Sequence, residues 1–142
     1  ESVSAKAMSM LADKAIVSRL TYMDQDILNL ILLGKVKFID AKYNTQFSLN
    51  YELKKSFICP INDETVLIHY VGPTKPWHYW AGYPSAQPFI KAKEASPWKN
   101  EPLMRPMNSN YARYCAKHNF KQNKPINGIM NYIYYFYLKI IK

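Results

Sequence analysis

Apolar side chains recur at helical spacing near the start of the chain, at Met8, Leu11, Ala12, Ala15 and Ile16. Ser4 stands where an N-cap belongs, so an amphipathic helix is expected there. A second helix is expected from Asp24, which can cap it, through Leu33, with Gly34 as its stop. Ile27, Leu28, Leu30, Ile31, Leu32 and Leu33 make that helix apolar on nearly every side, the pattern of a buried helix with its N-terminus held in place. Val36, Phe38 and Asp40 alternate as in a short strand, Tyr43-Asn44 reads as a turn, and Leu49 to Pro60 shows no clear period. Asn62-Asp63-Glu64 forms a polar turn into Thr65 to Val71, a β-branched, apolar run that predicts a buried strand. Gly72-Pro73 breaks that strand where polar side chains appear.

Beyond Trp80 the composition shifts toward Pro, Tyr, Trp and Lys. Ser85 can cap a helix that tolerates Pro88 in its first turn and ends at Ser96-Pro97. Tyr111, Tyr114, Cys115 and His118 share one helical face, so His118 is expected to pack or to meet solvent and not to bind a metal. Lys121 to Pro125 is a basic, polar linker, and Asn127 can open a last helix carrying Ile129, Ile133, Phe136 and Ile140 with Lys139 and Lys142. That helix, at about 15 residues, falls short of the roughly 20 that span a bilayer. Its apolar face can pack back on the body or dock on a membrane surface, and the pattern alone leaves both open.

At 142 residues the chain is long enough for one domain with a real core, and 49% hydrophobic residues with 12 Tyr argue against disorder. The formal charge of +9 adds something the pattern does not, an anionic partner. Nucleic acid, an acidic membrane surface and phosphorylated substrates all satisfy it, as does a basic surface serving solubility. Cys59 and Cys115 form no C-x-x-C pair, which points to reduced thiols in a cytosolic compartment. No run of about 20 apolar residues and no signal-peptide pattern is present, so secretion and membrane spanning are not expected. The chain opens at Glu1, without an initiator Met and inside an expected helix, which suggests part of a longer protein.

The candidate chemistry lies at the strand end. His69 and Lys75 flank the Gly72-Pro73 turn, bringing together a neutral imidazole able to bind a metal and an ammonium able to face phosphate. A packed His, a solvated Lys and a plain Pro-Trp turn would leave the same letters. Asp24 likewise reads either as a helix cap, worth about 1 kcal/mol, or with Gln25 as a carboxylate and an amide held in place for a ligand.

His69 to His78, H-Y-V-G-P-T-K-P-W-H, resembles the H-x-x-G-x-x-K-P-W signature of glycosyltransferase family 8, retaining sugar transferases with a GT-A fold. Asp24 to Asn29, D-Q-D-I-L-N, resembles a second motif of that family, D-Q-D-x-L-N, and lies upstream as it should. The Tyr43-Asn44 pair is similar to the y-N that follows it. Tyr83-Pro84-Ser85, Ser96-Pro97-Trp98-Lys99 and the aromatic, basic tail resemble the C-terminal extension of bacterial lipopolysaccharide-core hexosyltransferases.

The resemblance implies an α/β chain, helix-rich with a few strands. Residues 1–80 would be the C-terminal part of a GT-A catalytic domain, and residues 81–142 a helical extension. The nucleotide-binding half with its D-x-D metal motif is not matched, since Asp24-Gln25-Asp26 belongs to the other motif. The implied activity is transfer of glucose or galactose from UDP-glucose or UDP-galactose onto the lipopolysaccharide core, at the cytoplasmic face of the inner membrane. His69 would be a ligand to Mn²⁺ or Mg²⁺. Gly72 and Lys75 would meet the diphosphate, Asp24, Gln25 and Asn44 the donor sugar, with Asp24 and Gln25 the candidate catalytic groups. Asn44 would orient the donor or hold its turn. Two other classes stay in view: a nucleic-acid-binding module built on interleaved Tyr, Trp and Lys, for which no nucleic-acid motif speaks, and a non-catalytic membrane-surface adaptor built on the last helix.

Overall fold

The computed structural model describes residues 2–141, and it is helix-rich with two short strands. Two units, Glu1–Ile39 and Asp40–Lys142, are each described by themselves.

In the first unit, α1 (Val3–Ala12) is capped by Ser2, whose hydroxyl accepts the Ala5 N–H at 3.2 Å. The cap therefore falls two residues before the expected Ser4. The opening helix also does not run on to Ile16. The Asp13 carboxylate accepts the Ala15 N–H at 2.8 Å and starts the separate α2 (Lys14–Val17), an example of a short acidic side chain competing with helical backbone bonds.

Helix α3 (Met23–Ile31) begins one residue ahead of Asp24. No side chain caps its first turn, the expected Asp24 included; the Asp26 carboxylate instead reaches back past the helix start to accept the N–H groups of Thr21 (2.8 Å) and Tyr22 (2.9 Å). Those two bonds, Tyr22 first, hold the Asp26 carboxyl below its ordinary range. The expectation that this helix is buried all round fails as well. Ile27 and Ile31, one turn apart, are buried, whereas Leu28, Leu30 and Leu33 are exposed, so the helix buries one stripe. The helix stops short of the expected Leu33, at Ile31 with Leu32 as its C-cap, and Gly34 takes the left-handed region at φ 75° in the turn that follows.

The strand expected at Val36 to Asp40 is absent; that stretch has no regular structure, and Val36 and Phe38 are exposed. The strand lies later, in the second unit, as β1 (Thr45–Phe47). There Phe47 reaches a core and a pairing partner exists. That partner is β2 (Ile68–Tyr70), parallel to β1 in the register Thr45↔Ile68, Gln46↔His69, Phe47↔Tyr70. A parallel pair needs a crossover. Here it comprises a 3₁₀ helix, Leu49–Leu53, capped by Ser48, an exposed run over residues 54–60, and the Asn62 turn.

Strand β2 is shorter and less buried than Thr65 to Val71 leads one to expect, with Val66 and Leu67 exposed. The N–H groups of both residues go to one carbonyl, Lys42 O, at 3.0 and 3.1 Å, so they wrap the end of the 3₁₀ helix Ala41–Asn44 instead of extending a ladder. The core under the strands is Phe47, Leu49, Ala81, Tyr83 and Ala86, with Ile61 and Tyr70 against it.

Helix α4 (Gln87–Glu94) carries Pro88 in its first turn as expected and stops before Ser96-Pro97. Ser85 does not cap it, because its hydroxyl is bonded to the Glu52 carboxylate. Helix α5 (Ser109–Lys121) is capped by the Asn108 side chain. Helix α6 (Pro125–Ile140) starts at Pro125, two residues before the expected Asn127, where the missing N–H leaves no helical bond unmade. It packs on α5 through Gly128, where a Cβ would stand 2.6 Å from the Phe120 ring, and through Tyr132, whose ring lies tilted at 5.9 Å between centroids from the same ring. Its other side stays open: Ile126, Ile129, Met130, Ile133, Phe136 and Ile140 are exposed. One face of this helix thus packs back on the body, as the first alternative has it, and another is free.

Candidate functional site

Strand β2 and the turn after it form one wall of a cleft of about 770 Å³ within the second unit. Asn44, His69 and Lys75 all line it, beside Tyr70, Trp77 and Phe89. The polar groups come from three places in the sequence, the end of a 3₁₀ helix, the middle of β2 and the turn beyond it. The parallel register gathers them.

His69 is exposed at the cleft, and its Nδ1 lies 3.1 Å from Asn44 Oδ1. An amide oxygen only accepts, so this contact is a hydrogen bond when the proton is on Nδ1, the form that leaves the Nε2 lone pair free. Lys75 is half-buried. Its ammonium donates to Tyr70 O at 2.6 Å, which ties the positive charge to the end of β2 and leaves two of its three protons for a ligand. The Tyr70 hydroxyl in turn donates to Ser85 O at 2.7 Å, and burial pushes its pKa up to about 12.

Gly72 is not among the cleft residues. It sits at φ 81°, a conformation that favours glycine, and a Cβ there would meet Ser48 Oγ at 2.7 Å. The structure thus gives this glycine a local reason: it lets the chain turn sharply against Ser48 on the way from β2 to Lys75.

The turn is rigid because buried histidines, which sequence reading passed over as chemistry, bolt it down. The Lys75 N–H donates to His78 Nδ1 at 3.1 Å, and His78 is buried against Trp80 at 4.2 Å between ring centroids. Thr74 Oγ1, also buried, lies 3.0 Å from Nε2 of His118 on α5. The same Nε2 is 3.2 Å from Asn50 Oδ1, and Nδ1 is 2.7 Å from the Tyr83 hydroxyl. Since Asn50 Oδ1 only accepts, Nε2 bears the proton and Tyr83 donates to Nδ1. Burial, with His78 and Lys117 nearby, pushes His118 down to about 4; burial and Lys75 do the same to His78. Both rings are therefore neutral struts at neutral pH. His118 packs, in line with expectation. His78 closes the H-to-H motif, and that position was its only sequence signal, since its partners lie outside any local pattern.

Asp24 and Gln25 belong to the first unit, exposed side by side in the first turn of α3. Asp24 suits that position whatever else it does, because a carboxylate is favoured at the positive end of a helix. For a metal, the described residues around the cleft supply one good ligand atom, His69 Nε2. Among the described residues no group of three or more His, Cys, Asp or Glu side chains is placed to hold an ion.

Comparison with known proteins gives these groups a context. The family model for glycosyl transferase family 8 matches residues 1–81, and that for the glycosyl transferase family 8 C-terminal region matches residues 83–139. The chain belongs to glycosyltransferase family 8. Over 141 residues it is 54% identical to the lipopolysaccharide glucosyltransferase WaaO of Escherichia coli K12, which covers 99% of this chain and 42% of that protein. It is 51% identical over 142 residues to the lipopolysaccharide 1,3-galactosyltransferase of Salmonella typhimurium, covering 100% of this chain and 42% of that one. It is 37% identical over 141 residues to a lipopolysaccharide 1,2-glucosyltransferase of Escherichia coli, covering 96% and 42%. The chain thus spans about two fifths, 42%, of the length of each of these relatives. No solved structure matches it.

Proposed function

We propose that this chain is part of a retaining GT-A hexosyltransferase that moves glucose or galactose from UDP-glucose or UDP-galactose onto the lipopolysaccharide core. The observation that carries this reading is the cleft in which an imidazole with a free lone pair and a tethered ammonium stand together, in a chain whose relatives are named for lipopolysaccharide glucosyl and galactosyl transfer.

The leaving diphosphate develops negative charge as the glycosidic bond breaks, and fixed positive groups lower that barrier. Lys75 supplies one such charge. Mn²⁺ or Mg²⁺ would supply another, with His69 Nε2 as one ligand and carboxylates from outside this cleft as the rest. The donor chemistry fits that partial role: an imidazole suits Mn²⁺, and its ring is oriented by a neighbouring amide.

Asp24 and Gln25 would lie beside the transferred hexose. Gln25 is a poor nucleophile, and Asp24, chemically the better one, would be engaged with the sugar hydroxyls, so retention is assigned to front-face attack. The bond from C1 to the diphosphate oxygen breaks with its electron pair going to UDP, the acceptor oxygen bonds to C1 on the same face, and its proton passes to a phosphate oxygen. A covalent hexose trapped on Asp24 or Gln25 would overturn this.

The same reading places the enzyme peripherally at the cytoplasmic face of the inner membrane. Residues 102–142 hold seven Lys and Arg and no Asp or Glu, and α6 leaves an apolar face open. No helix among the described residues is long and apolar enough to cross a membrane.

The test is hexose transfer by the intact protein from radiolabelled UDP-glucose and UDP-galactose to a truncated lipopolysaccharide core. Lys75→Ala is expected to lower kcat roughly 10²- to 10³-fold, and Lys75→Arg not to restore it fully. Unchanged turnover in Lys75→Ala would remove the lysine from the mechanism. These 142 residues alone are expected to transfer no hexose, and appreciable turnover by them would show that nothing more is needed.

A further inference from the structure

Asn44 closes its 3₁₀ helix one residue before β1, and His69 is the middle residue of β2. Three backbone bonds stitch the two together: Thr45 N–H to Leu67 O at 2.9 Å, and the N–H groups of Val66 and Leu67 to Lys42 O at 3.0 and 3.1 Å. The turn holding Asn44 is itself closed, by the Lys42 N–H on Asp40 Oδ1 at 2.9 Å and the Thr45 hydroxyl on Ala41 O at 3.3 Å. Two side chains 25 residues apart are thereby fixed with Asn44 Oδ1 3.1 Å from His69 Nδ1. Nothing else among the described residues is bonded to this exposed ring. Left alone, it would turn freely, exchange tautomers and favour the Nε2–H form of free imidazole, which buries its lone pair on the backbone side at Nδ1.

We propose that Asn44 is a positioning residue that holds His69 in the Nδ1–H tautomer, making Nε2 the atom presented to a ligand in the cleft. The ligand, a divalent cation, rests on the function proposed above; the tautomer does not. This assigns Asn44 Oδ1 to the histidine and leaves only its NH₂ for the donor sugar, so its main work is at one remove from the substrate. Ligating histidines commonly have their second nitrogen held in this way, and loss of such a partner weakens metal binding about 10- to 100-fold.

Long-range ¹H–¹⁵N correlation spectra of the intact, ¹⁵N-histidine-labelled protein at alkaline pH read the tautomer directly. His69 in the wild type is expected to show a protonated, pyrrole-like Nδ1 and a pyridine-like Nε2. Asn44→Ala should move the ring toward the Nε2–H form, and Asn44→Asp, whose carboxylate also accepts from Nδ1–H, should keep it. A pyridine-like Nδ1 in the wild type, or an Asn44→Ala spectrum indistinguishable from it, would overturn the proposal. Mn²⁺ titration of the same proteins tests the ligand separately. Asn44→Ala is expected to bind about 10- to 100-fold more weakly and Asn44→Asp to recover. If His69→Ala binds Mn²⁺ as the wild type does while Asn44→Ala still switches the tautomer, control by Asn44 stands and the metal role of His69 falls.

Discussion

Lowering the pH should loosen the turn that carries Lys75, and His118 shows by how much. Its ring is fully buried, donates from Nε2 to Thr74 and Asn50, and accepts from Tyr83. Burial first, then the positive potential of His78 and Lys117, bring its pKa from 6.5 to about 4 in the folded state. Above about pH 6.5 neither folded nor unfolded chain binds this proton, and stability is unaffected. Between about 6.5 and 4 the unfolded chain takes up a proton that the folded chain refuses, so folding weakens by about 1.4 kcal/mol per pH unit, roughly 3 kcal/mol in all. Below about 4 the folded form is protonated too and the loss levels off. His78, buried and likewise brought to about 4, weakens folding in the same window, and because its charge is one cause of the His118 shift the two rings are coupled and together cost less than twice the roughly 3 kcal/mol of one. That is a large share of the 5–15 kcal/mol typical of a domain. Urea unfolding at pH 7.5, 6.0, 5.0 and 4.5 measures the slope, and His118→Gln isolates one ring, because carboxylate titration is common to both proteins. The variant starts less stable, having lost packing and a bond, but should lose less on acidification. Parallel curves for wild type and variant, or a folded-state His118 NMR titration near 6.5, would refute the reasoning.

Other outcomes follow from single contacts. Gly72→Ala combines a left-handed backbone with a Cβ 2.7 Å from Ser48 Oγ and should cost about 1–3 kcal/mol in thermal or urea unfolding; adding Ser48→Ala should return only the steric part. Phe47→Ala empties the centre of the core under β1 and should cost about 3–5 kcal/mol, with loss of the near-ultraviolet circular dichroism of the surrounding aromatics. Ile133→Glu with Phe136→Glu on the open face of α6 should leave the melting temperature within about 2 °C and sharply reduce sedimentation with anionic vesicles; unchanged sedimentation would free that face from any lipid role.

The cleft was legible where chemistry is local. A β-rich run broken by Gly-Pro put His69 and Lys75 at one strand end, and the structure has them lining one hollow. Helix positions were legible too, though their ends were not. Ser4, Asp24 and Ser85 were each reasonable caps, yet Ser2 and Asp26 took the N–H groups, and Ser85 turned to Glu52, 33 residues away. Burial was overread in α3, because six apolar residues in seven positions say nothing about how much surface a neighbour covers. The struts were invisible for a similar reason: His118 is defined by Thr74 and Asn50, 44 and 68 residues distant, and no periodicity spans that separation.

Because β1 and β2 run parallel, the segment joining them is a bypass whose middle, residues 54–60, lies wholly exposed. The alignment of Asn44 with His69 is set by stitches at its two ends, so its length is not metered by the chemistry it serves. Doubling a flexible loop costs only about 0.6 kcal/mol of closure entropy. Insertions there are a cheap way for evolution, or an engineer, to graft new recognition onto this unit while Asn44 and His69 keep their places.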